Sequence, residues 1–270
     1  MDNVNRSFVV FRVITIFVLF SVPTVLPAQI LNIERFRFEK DTSNFWTGNV
    51  TFGLSSKKQN NTVTTVNAAT NLVYLSEKHS YLNINNIRFL SVSNQNVVSE
   101  GYTHIRLNLY RRKKISAEPF IQFQYDIGRG LEKRELYGMS FRARIFASEP
   151  LTVAFSTGAM YEHEVWKGRV LRFPMEGSPG RAETHFLKSS SHLTLRSTLG
   201  KNVSLIGITY YQAPYEDFFR PRVITDISLM ITLSRYFSFS NQFVSTFDAA
   251  PILDDNKFIY TLNTNLVVKF

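Results

Sequence analysis

Apolar and polar residues alternate in steps of two along most of this chain. From Lys257 onward the even positions are Phe258, Tyr260, Leu262, Thr264, Leu266, Val268 and Phe270, nearly all apolar. The odd positions Lys257, Ile259, Thr261, Asn263, Asn265, Val267 and Lys269 are mostly polar. This is strand alternation with no helical stripe. The same pattern recurs upstream. Phe237, Phe239, Phe243 and Phe247 oppose Ser238, Ser240, Gln242 and Thr246, and Val223, Ile227, Leu229 and Ile231 oppose Asp226, Ser228 and Thr232. Tyr137, Met139, Phe141 and Ile145 oppose Ser140, Arg142 and Arg144; Trp46, Val50, Phe52 and Leu54 oppose Thr47, Asn49, Thr51 and Ser55. Three stretches are less regular. Residues 62–75 alternate weakly, 81–91 predict a register switch or bulge at Asn85-Asn86, and 203–212 are apolar on both faces. Together these segments predict about twelve strands.

The predicted connections fall into two alternating sets. Short ones lie at 76–80, 111–117, 147–150, 199–202 and 235–237. Longer ones lie at 56–61, 92–100, 128–134, 163–184, 213–222 and 248–256. That is the plan of an all-β, up-and-down antiparallel transmembrane barrel, with short periplasmic turns and longer external loops. A soluble, exported β-sandwich binding protein would also alternate, so the period alone leaves it open. Strands of about ten residues are long enough to cross a bilayer when tilted. Aromatic residues gather at strand ends, as in Phe45-Trp46, Tyr74, Tyr81, Phe146 and Tyr161, which suits interfacial girdles.

Composition changes the picture in three ways. The mean hydropathy of −0.09 conceals a membrane protein if an apolar face and a polar face are being averaged. Disulfides, thiol chemistry and Cys-ligated metals are excluded because the chain has no cysteine. Met1 to Ala28 reads as a signal peptide, with Arg6 and Arg12 before an apolar run from Val13 to Val22 and cleavage between Ala28 and Gln29. Residues 29–44 then form a periplasmic lead-in and 45–270 the barrel. Losing Asp2, Arg6 and Arg12 from 31 basic and 21 acidic residues leaves the mature chain at +9. Those charges are spread over separate strands and loops, so nucleic acid is not an expected partner.

Phe45-Trp46-Thr47-Gly48-Asn49-Val50-Thr51-Phe52-Gly53-Leu54-Ser55 resembles the first strand of the YdiY-like, salt-induced outer-membrane proteins, and Asn60-Asn61-Thr62 and Glu118 to Asp126 fit the same family. Gln29 to Glu34 and Tyr210-Tyr211-Gln212-Ala213-Pro214 resemble its Bacteroidetes-type variants. The final Phe270 is similar to the assembly signal of bacterial outer-membrane proteins. The resemblance covers almost all of the mature chain. It implies a monomeric barrel in the outer membrane of a Gram-negative bacterium, in contact with outer-membrane lipids and lipopolysaccharide and inserted by the barrel-assembly machinery. It implies no agreed biochemical activity.

The inward register predicts lumen-lining side chains at His104, Arg106, Asp126, Arg142, Arg144, Glu162, Lys188, His192, Arg196 and Asp226. These line a narrow, cation-rich pore for small anionic solutes, or pair into a network that fills the barrel. No cofactor, metal or catalytic group is expected. In Glu162-His163-Glu164 the two carboxylates share one strand face and His163 takes the other, so the three do not chelate together. A lipid-active, phospholipase-like enzyme is the alternative function. Ser190 and His192 have a same-face spacing, but that face is the lumen, away from lipid. The irregular stretch Trp166–Glu183, rich in Arg, Lys, Gly and Pro, is expected to be the longest external loop, either a mobile, solvated one or a basic lid folded into the lumen or touching lipopolysaccharide.

Overall fold

The computed structural model describes residues 44–58, 61–93, 95–148, 150–170, 172–178, 180–200, 202–234, 237–254 and 256–268. The expected signal peptide, almost all of the lead-in and Phe270 lie outside these residues. Twelve antiparallel strands form one sheet in sequence order. They are β1 (Phe45–Lys58), β2 (Thr62–Leu75), β3 (Ser80–Val92), β4 (Gln95–Asn108), β5 (Ile115–Asp126), β6 (Leu131–Ser148), β7 (Leu151–Lys167), β8 (Arg181–Thr198), β9 (Val203–Pro214), β10 (Arg222–Thr232), β11 (Phe237–Asp248) and β12 (Phe258–Val268). Among the described residues no register joins β1 to β12.

The sheet rolls up on itself. Ile84 of β3 packs against Ile208 and Tyr210 of β9 and Ile224 of β10, across the inside of the roll. Polarity is inverted relative to a soluble protein. Even-numbered positions from β4 to β11 turn inward and bury polar side chains such as Gln122, Ser140, Ser156 and Thr194. The outward positions are apolar yet exposed, including Phe52 (71%), Phe141 (54%) and Leu262 (53%). Aromatic contacts mark both edges of this belt. Trp46 meets Tyr74 at 4.7 Å and Tyr74 meets Tyr81 at 5.8 Å near one end. Phe123 meets Tyr137 edge-on at 6.0 Å near the other.

Two of the irregular stretches acquire a physical reason. β3 pairs with β2 without interruption from Leu75↔Ser80 to Val63↔Val92, so the expected bulge at Asn85-Asn86 is absent. The register shift in this region lies instead between Leu90 and Ser91, against β4. Leu82 and Ile84 are apolar on the inner face because they meet the apolar inner face of β9. The double-faced apolar character of 203–212 is the other half of that contact.

The expected alternation of long and short connections is only partly present. At one end β1 stops at Lys58 with β2 starting at Thr62, and β3 stops at Val92 with β4 starting at Gln95, whereas 109–114 at the other end separates its strands by more residues. The widest separations between consecutive strands of the described residues are 168–180, 215–221 and 249–257. The strands reach further than alternation suggested: Lys58 still pairs with Thr62, and Lys167 with Arg181. Beyond the apolar belt both faces carry polar side chains, so alternation fades while backbone pairing continues. The basic stretch Trp166–Glu183 therefore contributes strand at both ends and loop only in its middle.

Two loops meet at the mouth of the roll. Val170 and Leu253 form an isolated antiparallel bridge, and Ile252 is buried with Leu131, Trp166 and Ala182 in the mouth of the roll. β6 and β7 approach closely at Gly158, opposite Ser140, where an added Cβ would come within 2.0 Å of the Met139 carbonyl oxygen and 2.6 Å of Ser140 Cα. Those are backbone atoms, so Gly158→Ala must force β6 and β7 apart. We expect it to destabilise the protein by about 1–3 kcal/mol, read by guanidinium unfolding of detergent-solubilised protein followed by circular dichroism.

Candidate functional site

The interior is built from side chains that the period-two register turns inward. Eight of the ten expected lumen-lining residues are buried there: His104, Arg106, Asp126, Arg142, Glu162, Lys188, His192 and Asp226. Arg196 is half-buried. Arg144 departs from the expectation. The β6–β7 register slips between Arg144 and Phe146, and its guanidinium donates to the carbonyls of Arg112 and Lys113 in the 109–114 connection (2.5 and 2.9 Å). Arg144 therefore fastens a turn.

The strongest cluster lies toward the loop-bearing end. Glu164 accepts from Arg134 Nε at 2.5 Å, from Arg222 Nη1 at 3.1 Å and from the Trp166 indole at 2.9 Å. Glu162 is bound by Lys188 and lies 3.4 Å from Arg222 Nη1 and 4.0 Å from Arg134 Nε. Arg222 also reaches Asp248 through Nε at 3.0 Å. Three carboxylates thus face three cations. Arg222 sits on β10 and the two glutamates on β7, so these bonds cross the interior between strands that are not neighbours.

A second cluster lies on β4 and β5. Arg106 pairs with Glu118 at 3.1 Å, Asn108 donates to the same carboxylate at 2.9 Å, and the Arg106 guanidinium lies over Phe120 at 4.6 Å. His104 meets Gln122 at 2.9 Å, Gln122 donates to Gln124 at 3.0 Å, and Arg134 donates to Gln124 at 3.4 Å. The two clusters are therefore one connected hydrogen-bonded chain. Burying ions is costly unless each is paired and its remaining hydrogen-bonding capacity met, and this arrangement pairs them in balanced numbers.

The cavities among these groups differ in size. A cavity of about 20 Å3 is lined by His104, Phe120, Gln122, Ser190, His192 and Tyr210, space for about one water. A wider cavity of about 300 Å3 opens at the mouth, bordered by Arg172, Lys188, Glu216, Arg220, Arg222 and Asp248. Ser190, the residue considered for lipid chemistry, is buried and accepts from Gln212 at 3.5 Å.

Glu118, Arg134, Glu164, Arg222 and Asp248 complete the network; of these only Glu164 was weighed from sequence, as a metal ligand and not as an interior ion-pair partner. Glu118 and Glu164 follow the inward register, which was signal enough to find them. Arg134, Arg222 and Asp248 fall where the alternation fades into expected loops.

Outside the roll, His163 turns away from Glu162 and Glu164. Its Nδ1 lies 3.0 Å from Glu135 and its Nε2 2.9 Å from Glu183. His185, its register partner on β8, stacks on it with ring centroids 4.3 Å apart.

Fold and interior define a class of protein: an antiparallel up-and-down β roll with its ion-paired face inside and its apolar face outside. Residues 50–270 match the family described as "Protein of unknown function, DUF481", and the chain belongs to this YdiY-like family. No curated protein sequence matches it. A solved structure described as the NanC porin in a rhombohedral crystal form is similar at 8% identity and a TM-score of 0.44, covering 83% of this chain and 100% of that one.

Glu164 is the residue whose loss the network should tolerate least, because Arg134 and Arg222 would both lose a buried partner. Glu164→Leu is expected to cost about 3–5 kcal/mol in guanidinium unfolding. Arg169→Ala, which breaks only the solvent-exposed pair with Asp254, should cost less than about 1 kcal/mol.

Proposed function

We propose that the protein is a closed, monomeric β-barrel of the Gram-negative outer membrane with a structural, envelope-maintaining role. The observation that carries this reading is the inverted polarity: a continuous belt of exposed apolar side chains surrounds an interior of paired charges. In water such a surface would associate or aggregate, whereas in a bilayer it is the expected lipid face. Closure follows from the same physics. An unpaired strand edge in hydrocarbon costs several kcal/mol for each unsatisfied group, so β1 and β12 pair with each other when the protein is embedded. The basic loop residues Arg169 and Arg172 then lie at the surface where lipopolysaccharide carries its negative charge, and barrel-assembly machinery inserts the chain.

The filled interior favours the structural role over a solute pore. The apolar contact of Ile84 with Ile208 and the ion pairs of Glu162 and Glu164 occupy the path, and the carboxylates neutralise the cations that would otherwise select anions. Burial of Ser190 and His192 inside the roll supports a non-enzymatic reading, since a lipid ester reaches neither.

Planar-bilayer recording tests this. Wild-type protein, folded as judged by a mobility shift between unheated and boiled gel samples, should show no stepwise conductance. Steps whose size or ion preference changes in Arg142→Ala would overturn the closed reading and establish a channel.

A further inference from the structure

β6, β7 and β8 continue past the aromatic girdle, and on the outer face of this extension the register gathers titratable side chains. Glu135 pairs with His163 across β6–β7, and His163 with His185 across β7–β8; Glu183 lies two residues before His185. The layer beneath contains Tyr137 and Tyr161, register partners at the rim of the apolar belt. Nothing in the interior network or in the proposed envelope role uses these groups.

The geometry points to a divalent transition-metal site formed by His163, His185 and Glu183. One ligand atom from each of the three lies within 4.8 Å of the others. Both imidazoles aim Nε2 at the same carboxylate oxygen, Glu183 Oε1, from 2.9 and 3.4 Å. Their rings are stacked nearly parallel, at 12°, so binding one ion at bonds of about 2.0–2.2 Å requires one imidazole to turn out of the stack until both Nε2 lone pairs converge.

The other nitrogen of each ring is already held. His163 Nδ1 is 3.0 Å from Glu135 Oε2, and His185 Nδ1 is 2.8 Å from the Tyr161 hydroxyl. This is the outer shell that fixes ring orientation and tautomer in histidine metal sites, with the carboxylate raising the basicity of the ligating nitrogen. His163 stands between the carboxylates of Glu135 and Glu183. A metal ion bound at Nε2 leaves Nδ1 against Glu135 and competes with protons for the ligating nitrogen.

The donor set selects the metal class. Calcium and magnesium prefer oxygen ligands alone, whereas two imidazoles and one carboxylate suit zinc(II), copper(II) or nickel(II). Three protein ligands leave a coordination position open to water or to an external ligand. Glu183 and His185 are partly exposed, so an ion reaches the site from solvent without unfolding. The inference rests on this outer-face geometry and does not depend on the closed-barrel reading.

Full-length protein, stripped with chelator and held in detergent, should be titrated with zinc(II) in competition with a chromophoric chelator. One equivalent should bind at micromolar Kd or tighter. His163→Ala and His185→Ala should each weaken binding at least tenfold. Glu135→Gln, which leaves all three ligands in place, should weaken it by about 10–100-fold. His79→Ala, at the opposite end of the sheet, should leave it unchanged. Unaltered circular dichroism and gel mobility establish that each variant is folded. Copper(II) loaded at one equivalent should give an electron paramagnetic resonance spectrum with two coordinated imidazole nitrogens. Absence of saturation at one equivalent, or affinity indifferent to His163→Ala and His185→Ala, would overturn the site.

Discussion

Pairing of Glu162 and Glu164 with Arg134, Lys188 and Arg222 is the interaction on which the arrangement of this molecule depends. Once the polar face of a rolled sheet is turned inward, its charges sit in a confined space with little water, where an unpaired ion is far more costly than at a surface. The charges therefore come in balanced sets, and their bonds run across the interior from β7 to β10 as well as between neighbouring strands. These chords fix how tightly the sheet curls. They also place Trp166 and Ile252 so that an apolar cluster covers the network at the mouth.

Apolar contact completes what ion pairing begins. Ile84, Ile208, Tyr210 and Ile224 meet across the interior, and Phe120, Leu136 and Met160 pack beside them. Neither cluster resembles the core of a soluble domain, since each is surrounded by polar groups of the same register. The molecule thus has two kinds of apolar region: an outer belt of exposed side chains and small inner contacts set among polar groups.

Most of the fold was legible because strand alternation records a two-sided environment, and β5 to β8 experience one throughout their middle. The signal failed wherever the environment stopped being two-sided. Residues 82–84 and 208–210 are apolar inside because they touch one another from distant strands, a coincidence that no local window reveals. Lys57, Lys58, Arg134 and Arg181 lie beyond the belt, where both faces are polar and a paired strand reads as a loop. The interior residues His104, Arg106, Glu162 and Lys188 could be read from register, but Arg222, which pairs with Glu162, and Asp248, which pairs with Arg222, could not, because they lie at strand ends. His163 was seen to turn away from its acidic neighbours. That it meets Glu135, Glu183 and His185 required knowing which strands adjoin.

The central claim, a sheet with its apolar face toward lipid and its charged face inside, is most directly tested by lipid quenching of single-cysteine probes. With no native cysteine, a fluorophore can be attached at Phe141→Cys or at its β6 neighbour Ser140→Cys without background, in protein reconstituted into vesicles containing nitroxide-labelled phospholipid. The account predicts strong quenching at position 141 and little at 140. Equal quenching at both, or stronger quenching at 140, would contradict it.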